Sequence, residues 1–105
     1  MTEKVWAIID DIRTLNCELI ARTARDGIQM VIDNFDRIEC LCLDNDLGEL
    51  VEGYDVLCNL FYMDKVPNKV QLVTSNPVAQ GKMSKLLQSN GYHTIDNRNF
   101  TKVIE

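Results

Sequence analysis

The sequence has few of the residues that build zinc sites or broad nucleic-acid surfaces. Its only histidine is His93, and its four cysteines form no Cys-x-x-Cys pair, which excludes the usual closely spaced zinc motifs. Basic residues number 11 against 16 acidic ones, and the net charge of −5 argues against broad electrostatic capture of nucleic acid. No apolar run approaches the roughly 20 residues of a membrane span. The composition therefore predicts a globular protein with no membrane partner.

The length of 105 residues fits one domain, which we expect to span residues 1–105. Hydrophobic residues make up 46% of the chain, enough for an ordinary core. The sequence runs from Met-Thr-Glu-Lys straight into an apolar segment, so we expect no secretory leader. Together with unpaired cysteines, this predicts a location in the reducing cytoplasm.

Four short, largely apolar runs end on polar residues, and this is the most informative pattern in the chain. Continuous apolar runs are typical of strands that are buried on both faces of a parallel sheet. The predicted strands cover residues 5–9, 38–43, 69–73 and about 92–95. Since ligands bind beyond the carboxyl ends of such strands, the polar residues there form the candidate site.

Helical patterns separate these runs and predict an α/β fold with a mainly parallel sheet of four to five strands. The helices are predicted at 16–35, 54–64 and from Pro77 to about residue 89, and residues 100–104 could add a short edge strand. The strand order 1-2-3-4 would put all helices on one face, in two layers. The order 2-1-3-4 would cover both faces, in three layers, and the wholly apolar first strand favours a central position for that strand.

Carboxylates follow the first two strands, which are neighbours in either order. Asp10 and Asp11 follow the first strand, and Asp44 and Asp46 follow the second. Converging carboxylates repel one another unless a cation lies among them, and Mg²⁺ prefers such oxygen ligands. The pattern therefore predicts a magnesium site formed by these four residues. The alternative for any one aspartate is a simple turn cap.

Groups suited to phosphate follow the third strand and lie in the first loop. Thr74, Ser75 and Asn76 precede a helix that begins at Pro77, where hydroxyls and backbone N–H groups suit a phosphoryl oxygen. Arg13 could reach back and clamp a phosphate with two hydrogen bonds. The alternatives are a helix cap at Ser75 or Asn76 and a solvated charge at Arg13.

The order of these residues resembles the receiver domains of two-component signalling. The resemblance lies in Asp10-Asp11 after one strand, Asp44 after a later one and Thr74 after the next. It implies that the acidic pair and Asp44 hold Mg²⁺, that Asp44 is a ligand or phosphoacceptor, and that Thr74 contacts the phosphate. If the domain is a phosphoesterase or phosphotransfer domain, Asp44, Arg13 and Thr74 are the expected catalytic residues.

Six sequence blocks resemble a smaller family, the cyclic-phosphate processing receiver domain. The family name implies action on cyclic or terminal phosphates of nucleotides or of an RNA end during RNA repair. Its central block has histidine where this chain has Asn45, and an amide cannot transfer protons as imidazole does. The blocks are Ile9-Asp10-Asp11-Ile12-Arg13, Ala21-Arg22-Thr23-Ala24-Arg25-Asp26-Gly27, Leu43-Asp44-Asn45-Asp46-Leu47-Gly48, Gly53-Tyr54-Asp55-Val56-Leu57, Val73-Thr74-Ser75-Asn76-Pro77-Val78 and Gly91-Tyr92.

Three functions therefore stay open at the level of sequence. The first is a Mg²⁺-dependent phosphoesterase or phosphotransfer domain. The second is a catalytically degenerate receiver that binds a phosphorylated ligand or a protein, which Asn45 favours. The third is a Toprim-like metal nuclease, suggested by the Asp-x-Asp pattern of Asp44 and Asp46. That fold would want glutamate where the chain has Asp10.

Overall fold

The computed structural model describes residues 3–103, and within them the chain forms a mostly parallel sheet with three α-helices beside it. The strands and helices are β1 (Val5–Ile9), β2 (Leu19–Ala21), α1 (Ala24–Asn34), β3 (Ile38–Leu43), α2 (Gly53–Tyr62), β4 (Lys69–Leu72), α3 (Pro77–Ser89), β5 (Tyr92–His93) and β6 (Asn99–Lys102). A short 3-10 turn, Phe35–Arg37, joins α1 to β3. None of these helices has the length and apolar character needed to cross a membrane.

The predicted α/β fold with a mainly parallel sheet is confirmed. The described strands lie in the order β2-β1-β3-β4-β6-β5. Strands β2, β1, β3 and β4 are parallel neighbours, while β6 is antiparallel to both β4 and β5. The sheet thus has six strands rather than four or five, because a short strand precedes α1 and the last segment pairs inside the sheet.

The predicted helix over residues 16–35 is wrong in its first eight residues. Leu15 and Asn16 have φ angles of 48° and 56°, a left-handed conformation that reverses the chain and does not start a helix. Leu19–Ala21 then forms β2 beside β1. The helix begins only after Thr23, whose side chain accepts a hydrogen bond from the backbone N–H of Asp26 and so caps α1.

The three helices pack on one face of the sheet and give it two layers. Buried residues of all three helices belong to one hydrophobic core together with residues of the sheet, among them Val31 of α1, Leu57 of α2 and Met83 of α3. Gly27 allows α1 to approach closely, since a Cβ there would lie 2.7 Å from the Cδ1 atom of Ile9. Of the two predicted layerings, the two-layer one is observed.

In the described part of the chain, the opposite face of the sheet has a loop packed on part of it and no helix. Ile8 and Cys42 are buried there against Cys17, which lies in the segment that returns from β1 to β2. This return explains why the first strand is wholly apolar and central, with β2 on one side and β3 on the other. The predicted edge strand is also corrected, because β6 lies between β4 and β5 and the edge is β5.

Candidate functional site

Three carboxylates meet at the carboxyl edge of the sheet. The backbone N–H of Asp44 donates to the carbonyl of Ile9 over 3.0 Å, which ties the end of β3 to the end of β1. One oxygen from each of Asp10, Asp11 and Asp44 then lies within 4.8 Å of the others. They line a cavity of about 250 Å³, whose wall comprises Asp10, Asp11, Ile12, Arg13, Asp44, Asp46 and Ser75.

Asp10 is fully buried and organises the first loop. Its Oδ1 atom accepts hydrogen bonds from the backbone N–H groups of Ile12 and Arg13, at 2.9 and 3.0 Å. Burial by itself would raise the pKa of Asp10, but these two hydrogen bonds and the Arg13 guanidinium outweigh burial and hold the pKa below its usual value. Asp10 is therefore a stable anion that can serve as a fixed ligand.

The pKa of Asp44 is shifted in the opposite direction to that of Asp10. The Oδ1 atom of Asp44 accepts from the backbone N–H of Asn45 over 2.8 Å, which leaves Oδ2 directed toward Asp10 and Arg13. Burial raises the pKa of Asp44 most, and the negative charge of Asp10 raises it further, against smaller opposing effects that include Arg13 and the Thr74 hydroxyl. The buried carboxylate is thus short of positive charge, which a bound cation would supply.

Arg13 lies directly over the paired carboxylates. Its Nη1 atom is 3.0 Å from Oδ2 of Asp10 and 3.6 Å from Oδ2 of Asp44. The hydrogen bond to Asp10 is the main reason that the pKa of Arg13 is raised. Arg13 thus lies over the strand ends, where its side chain is paired with carboxylates and 39% exposed, and its contact with a phosphate stays a prediction.

Arg22 also fixes the loop after β1. The predicted helix did not indicate this role. The Nη1 atom of Arg22 donates to the carbonyls of Asp10 (3.2 Å) and Arg13 (2.7 Å), and its Nη2 atom donates to Oγ1 of Thr14 (3.0 Å). The helix predicted over residues 16–35 favours a solvated surface charge at Arg22, with a side chain directed toward the site as the alternative. The missed signal is β2, which ends at Ala21 and places Arg22 at the carboxyl edge.

The residues after β4 divide between the site and the helix that follows. Thr74 is buried, and its Oγ1 atom accepts from the backbone N–H of Asn76 over 3.1 Å. Ser75 is exposed and lines the cavity. The side chain of Asn76 caps α3 by accepting from the N–H groups of Val78 and Ala79, both at 3.1 Å. Asn76 is not part of the cavity wall.

Arg98 is a second cation at this edge that the sequence pattern did not indicate. It precedes β6 and donates from Nη1 to the carbonyl of Thr74 over 3.2 Å. Its backbone carbonyl accepts from Leu72 of β4 over 2.8 Å, so the turn before β6 is fixed beside the end of β4. Only the pairing of β6 with β4, which the sequence does not show, brings Arg98 here.

Asn45 does not face the carboxylates. Its Nδ2 atom donates to Oε2 of Glu52 over 2.6 Å, and its Oδ1 atom accepts from the backbone N–H of Tyr54 over 3.1 Å. The amide is buried and both of its polar atoms are paired within the first turn of α2. Asn45 thus joins the Asp44 loop to α2 and offers no proton to a ligand.

Gly53 makes this junction possible because α2 begins in contact with the Asp44 loop. A Cβ atom at Gly53 would lie 1.9 Å from the carbonyl oxygen of Asp44, where no side chain fits. Gly48 has a φ angle of 71° and lies beside Asp11, since a Cβ there would be 3.4 Å from Oδ2 of that residue. Both glycines shape the loop that carries Asp46 along the cavity wall.

The donor set fits a magnesium ion. All the candidate ligand atoms are carboxylate oxygens, and Mg²⁺ is usually bound by one or two carboxylates, waters and phosphate oxygens. The three grouped residues are Asp10, Asp11 and Asp44. Asp46 lines the same cavity but is not one of the three grouped carboxylates.

An acidic pocket at the carboxyl edge of a mostly parallel two-layer sheet defines a receiver-like α/β domain. The family model for the cyclic-phosphate processing receiver domain matches residues 5–89, and the chain belongs to that family. No curated protein and no solved structure matches the chain significantly. The matched segment contains every predicted site residue and ends before Arg98.

Proposed function

We propose that this receiver-like domain binds Mg²⁺ with Asp10, Asp11 and Asp44 and uses the site to hold a phosphoryl group. The observation that carries the proposal is the grouping of three carboxylates in one small cavity, two of them buried. The raised pKa of Asp44 supports it, because that carboxylate lacks a full counter-charge. Asp46 would act on the same cavity through water or as a further ligand.

The ligand that we propose is a cyclic or terminal phosphate on a nucleotide or an RNA end, in line with the family's description. A bound Mg²⁺ ion would neutralise the phosphoryl oxygens and orient the group. Arg13 would contribute its guanidinium, Ser75 its exposed hydroxyl, and Thr74 a buried hydroxyl beside Asp44. Asn76 would act indirectly, through the N-terminal end of α3 that its side chain caps. We also propose a cytoplasmic location, which suits the four free thiols.

Calorimetric titration with Mg²⁺ tests the proposal. The wild-type protein should bind one ion, and Asp44→Asn should weaken binding about tenfold or more, because a buried anionic ligand is lost. Asp36→Asn is the matched control, since Asp36 is an exposed aspartate before the start of β3, at the opposite edge of the sheet. No binding to the wild type, or equal loss in both variants, would overturn the proposal.

One observation favours a second candidate function. In it, the receiver binds a phosphorylated ligand or a protein and catalyses no reaction. The residue after Asp44 is an amide whose two polar atoms are engaged by α2, so this position offers no titratable group. Incubation with 2′,3′-cyclic AMP and Mg²⁺ separates the two candidates. Ring opening that is lost in Asp44→Asn supports an enzyme, and Mg²⁺-dependent binding without turnover supports the binding module. The Toprim-like nuclease gains no support from the family match.

A further inference from the structure

Arg13 pairs with the oxygen atoms of Asp10 and Asp44 that accept no backbone hydrogen bond from their own loops. The Oδ1 atoms of Asp10 and Asp44 both accept backbone N–H groups of their own loops. Their Oδ2 atoms are the ones that share Nη1 of Arg13, at 3.0 and 3.6 Å. A guanidinium has only donors and no lone pair to offer a metal. Arg13 therefore already supplies positive charge at the place where the proposed ion would be held.

The loop around Arg13 is fixed, whereas its side chain has room to move. Arg22 binds the carbonyls of Asp10 and Arg13, and the carboxylate of Asp10 binds the N–H of Arg13. The backbone on both sides of Arg13 is thus held in place. The Arg13 side chain is 39% exposed and borders the cavity, so it can leave Asp10 without moving the loop.

We propose that Arg13 is an internal counter-ion that leaves the carboxylates when a divalent cation binds and then contacts the phosphoryl group. This inference rests on the proposed function and adds a coupling to it. In the metal-free protein, Arg13 neutralises part of the charge of Asp10 and Asp44 and so weakens cation binding. Once released, the same guanidinium is available in the cavity for an anion. Binding of the cation and binding of the anion therefore favour each other, as linkage requires.

The first test is the sign of the change in Mg²⁺ affinity when Arg13 is replaced. Arg13→Gln should bind Mg²⁺ about fivefold more tightly than the wild type, since the competing charge a few ångströms away is gone. Arg25→Gln is the matched control. Arg25 is an exposed arginine on α1 and forms no side-chain hydrogen bond or ion pair within residues 3–103. Its affinity should stay within twofold of the wild type.

The second test follows Arg13 in the wild-type protein and does not depend on the folding of a variant. Side-chain Nε–H signals of arginine are recorded by NMR while Mg²⁺ is added, and inorganic phosphate is added afterwards. The Arg13 signal should shift on addition of Mg²⁺ and shift again with phosphate. The Arg22 signal is the internal control and should change little, because Arg22 bonds only to the loop.

The outcomes separate this inference from the proposed function. No Mg²⁺ binding in the wild type, Arg13→Gln and Arg25→Gln would overturn both. Mg²⁺ binding to the wild type with equal or weaker binding to Arg13→Gln would overturn the counter-ion role alone, because Arg13 would then support the site instead of competing for it. An Arg13 signal that ignores Mg²⁺ in a protein that binds the ion would also contradict it.

Discussion

Asp10 and Asp44 follow neighbouring strands, but their environments differ. Asp10 accepts three hydrogen bonds and has a lowered pKa, whereas burial and the charge of Asp10 raise the pKa of Asp44. The difference assigns them different roles in the proposed site. Asp10 shapes the loop as an anion at neutral pH, and Asp44 is the carboxylate that gains most from a cation.

Asp44→Asn should stabilise the metal-free protein at neutral pH. Because the folded-state pKa of Asp44 lies above its ordinary value of 3.8, the folded protein holds this proton more tightly than the unfolded chain does. Ionised Asp44 therefore lowers the free energy of unfolding as pH rises through that pKa, and its cost vanishes below pH 3.8, where both states are protonated. Urea unfolding at pH 7 and pH 3 measures this.

The gain from Asp44→Asn should be present at pH 7 and absent at pH 3. Asp36→Asn again serves as the control, since its exposed side chain carries no burial cost that the change could relieve. If Asp44→Asn is less stable than the wild type at pH 7, the attraction of Asp44 to Arg13 outweighs the cost of burying Asp44 and its repulsion by Asp10.

Two glycines in helices make a matched pair for stability. Gly53→Ala should lower the free energy of unfolding by about 1–3 kcal/mol or more, because the new Cβ meets the backbone of Asp44, which cannot move aside easily. Gly81→Ala adds the same methyl group to α3, where nothing lies within 4 Å, and should stabilise by about 0.5–1 kcal/mol. Urea unfolding at one pH compares the free energies of unfolding of the two variants. Similar changes in both would contradict the close contact between Gly53 and the Asp44 backbone.

At the scale of single elements, the junction between the Asp44 loop and α2 depends on one side chain. Asn45 accepts from Tyr54 and donates to Glu52, while Glu52 and Asp55 also form a capping box. Asn45→Ala should cost about 1 kcal/mol, since the Tyr54 N–H and the Glu52 carboxylate each lose a part-buried hydrogen bond. It should also speed hydrogen exchange at the Tyr54 amide.

The control for Asn45→Ala is Asn59→Ala, which removes an exposed asparagine on the same helix. Asn59 donates only to the carbonyl of Asp55, one turn earlier. Unchanged exchange at Tyr54 in Asn45→Ala would contradict the structural role assigned to this residue.

The elements that the sequence predicted well are those with long, regular patterns. Val5–Ile9 and Ile38–Leu43 are predicted to the residue, and α3 begins at Pro77 as its cap sequence indicates. The strand Leu19–Ala21 was missed because its three residues continue an apolar spacing that also suits the first helix. Local pattern cannot tell which of the two the chain adopts, since pairing with β1 decides it.

The candidate site follows the same division. Asp10, Asp11 and Asp44 could be placed together because parallel strands carry their following residues to one edge. The contacts of Arg22 and Arg98 could not, because they depend on β2 and on the pairing of β6 with β4. The direction of the Asn45 side chain could not be predicted either, since it depends on where α2 begins.

At the scale of the whole molecule, the two faces of the sheet are built differently. Three helices cover one face, and on the other face Cys17 of the β1–β2 loop packs with Ile8 and Cys42. Burial raises the pKa of Cys17 to about 12, and the neighbouring Cys40 and burial raise the pKa of Cys42. Cys17 and Cys42 should therefore react slowly with thiol reagents in the folded protein.

Labelling with a maleimide at pH 7.5, followed by mass spectrometry, tests this arrangement. Cys58, which is partly exposed on α2, should react first, and Cys17 and Cys42 should react only on unfolding. Cys58→Ser should remove the fast reaction. Rapid labelling of Cys17 in the folded protein would show that the β1–β2 loop does not pack against this face.

The most direct test of the central claim is the crystal structure of the protein soaked with Mn²⁺, an ion that favours the same oxygen ligands as Mg²⁺. Anomalous scattering locates manganese without reference to the protein atoms. We expect one strong peak in bonding contact with carboxylate oxygens of Asp10, Asp11 and Asp44, with Arg13 turned away from them. A map without a peak among these three residues, at manganese concentrations that saturate binding in solution, would contradict the account.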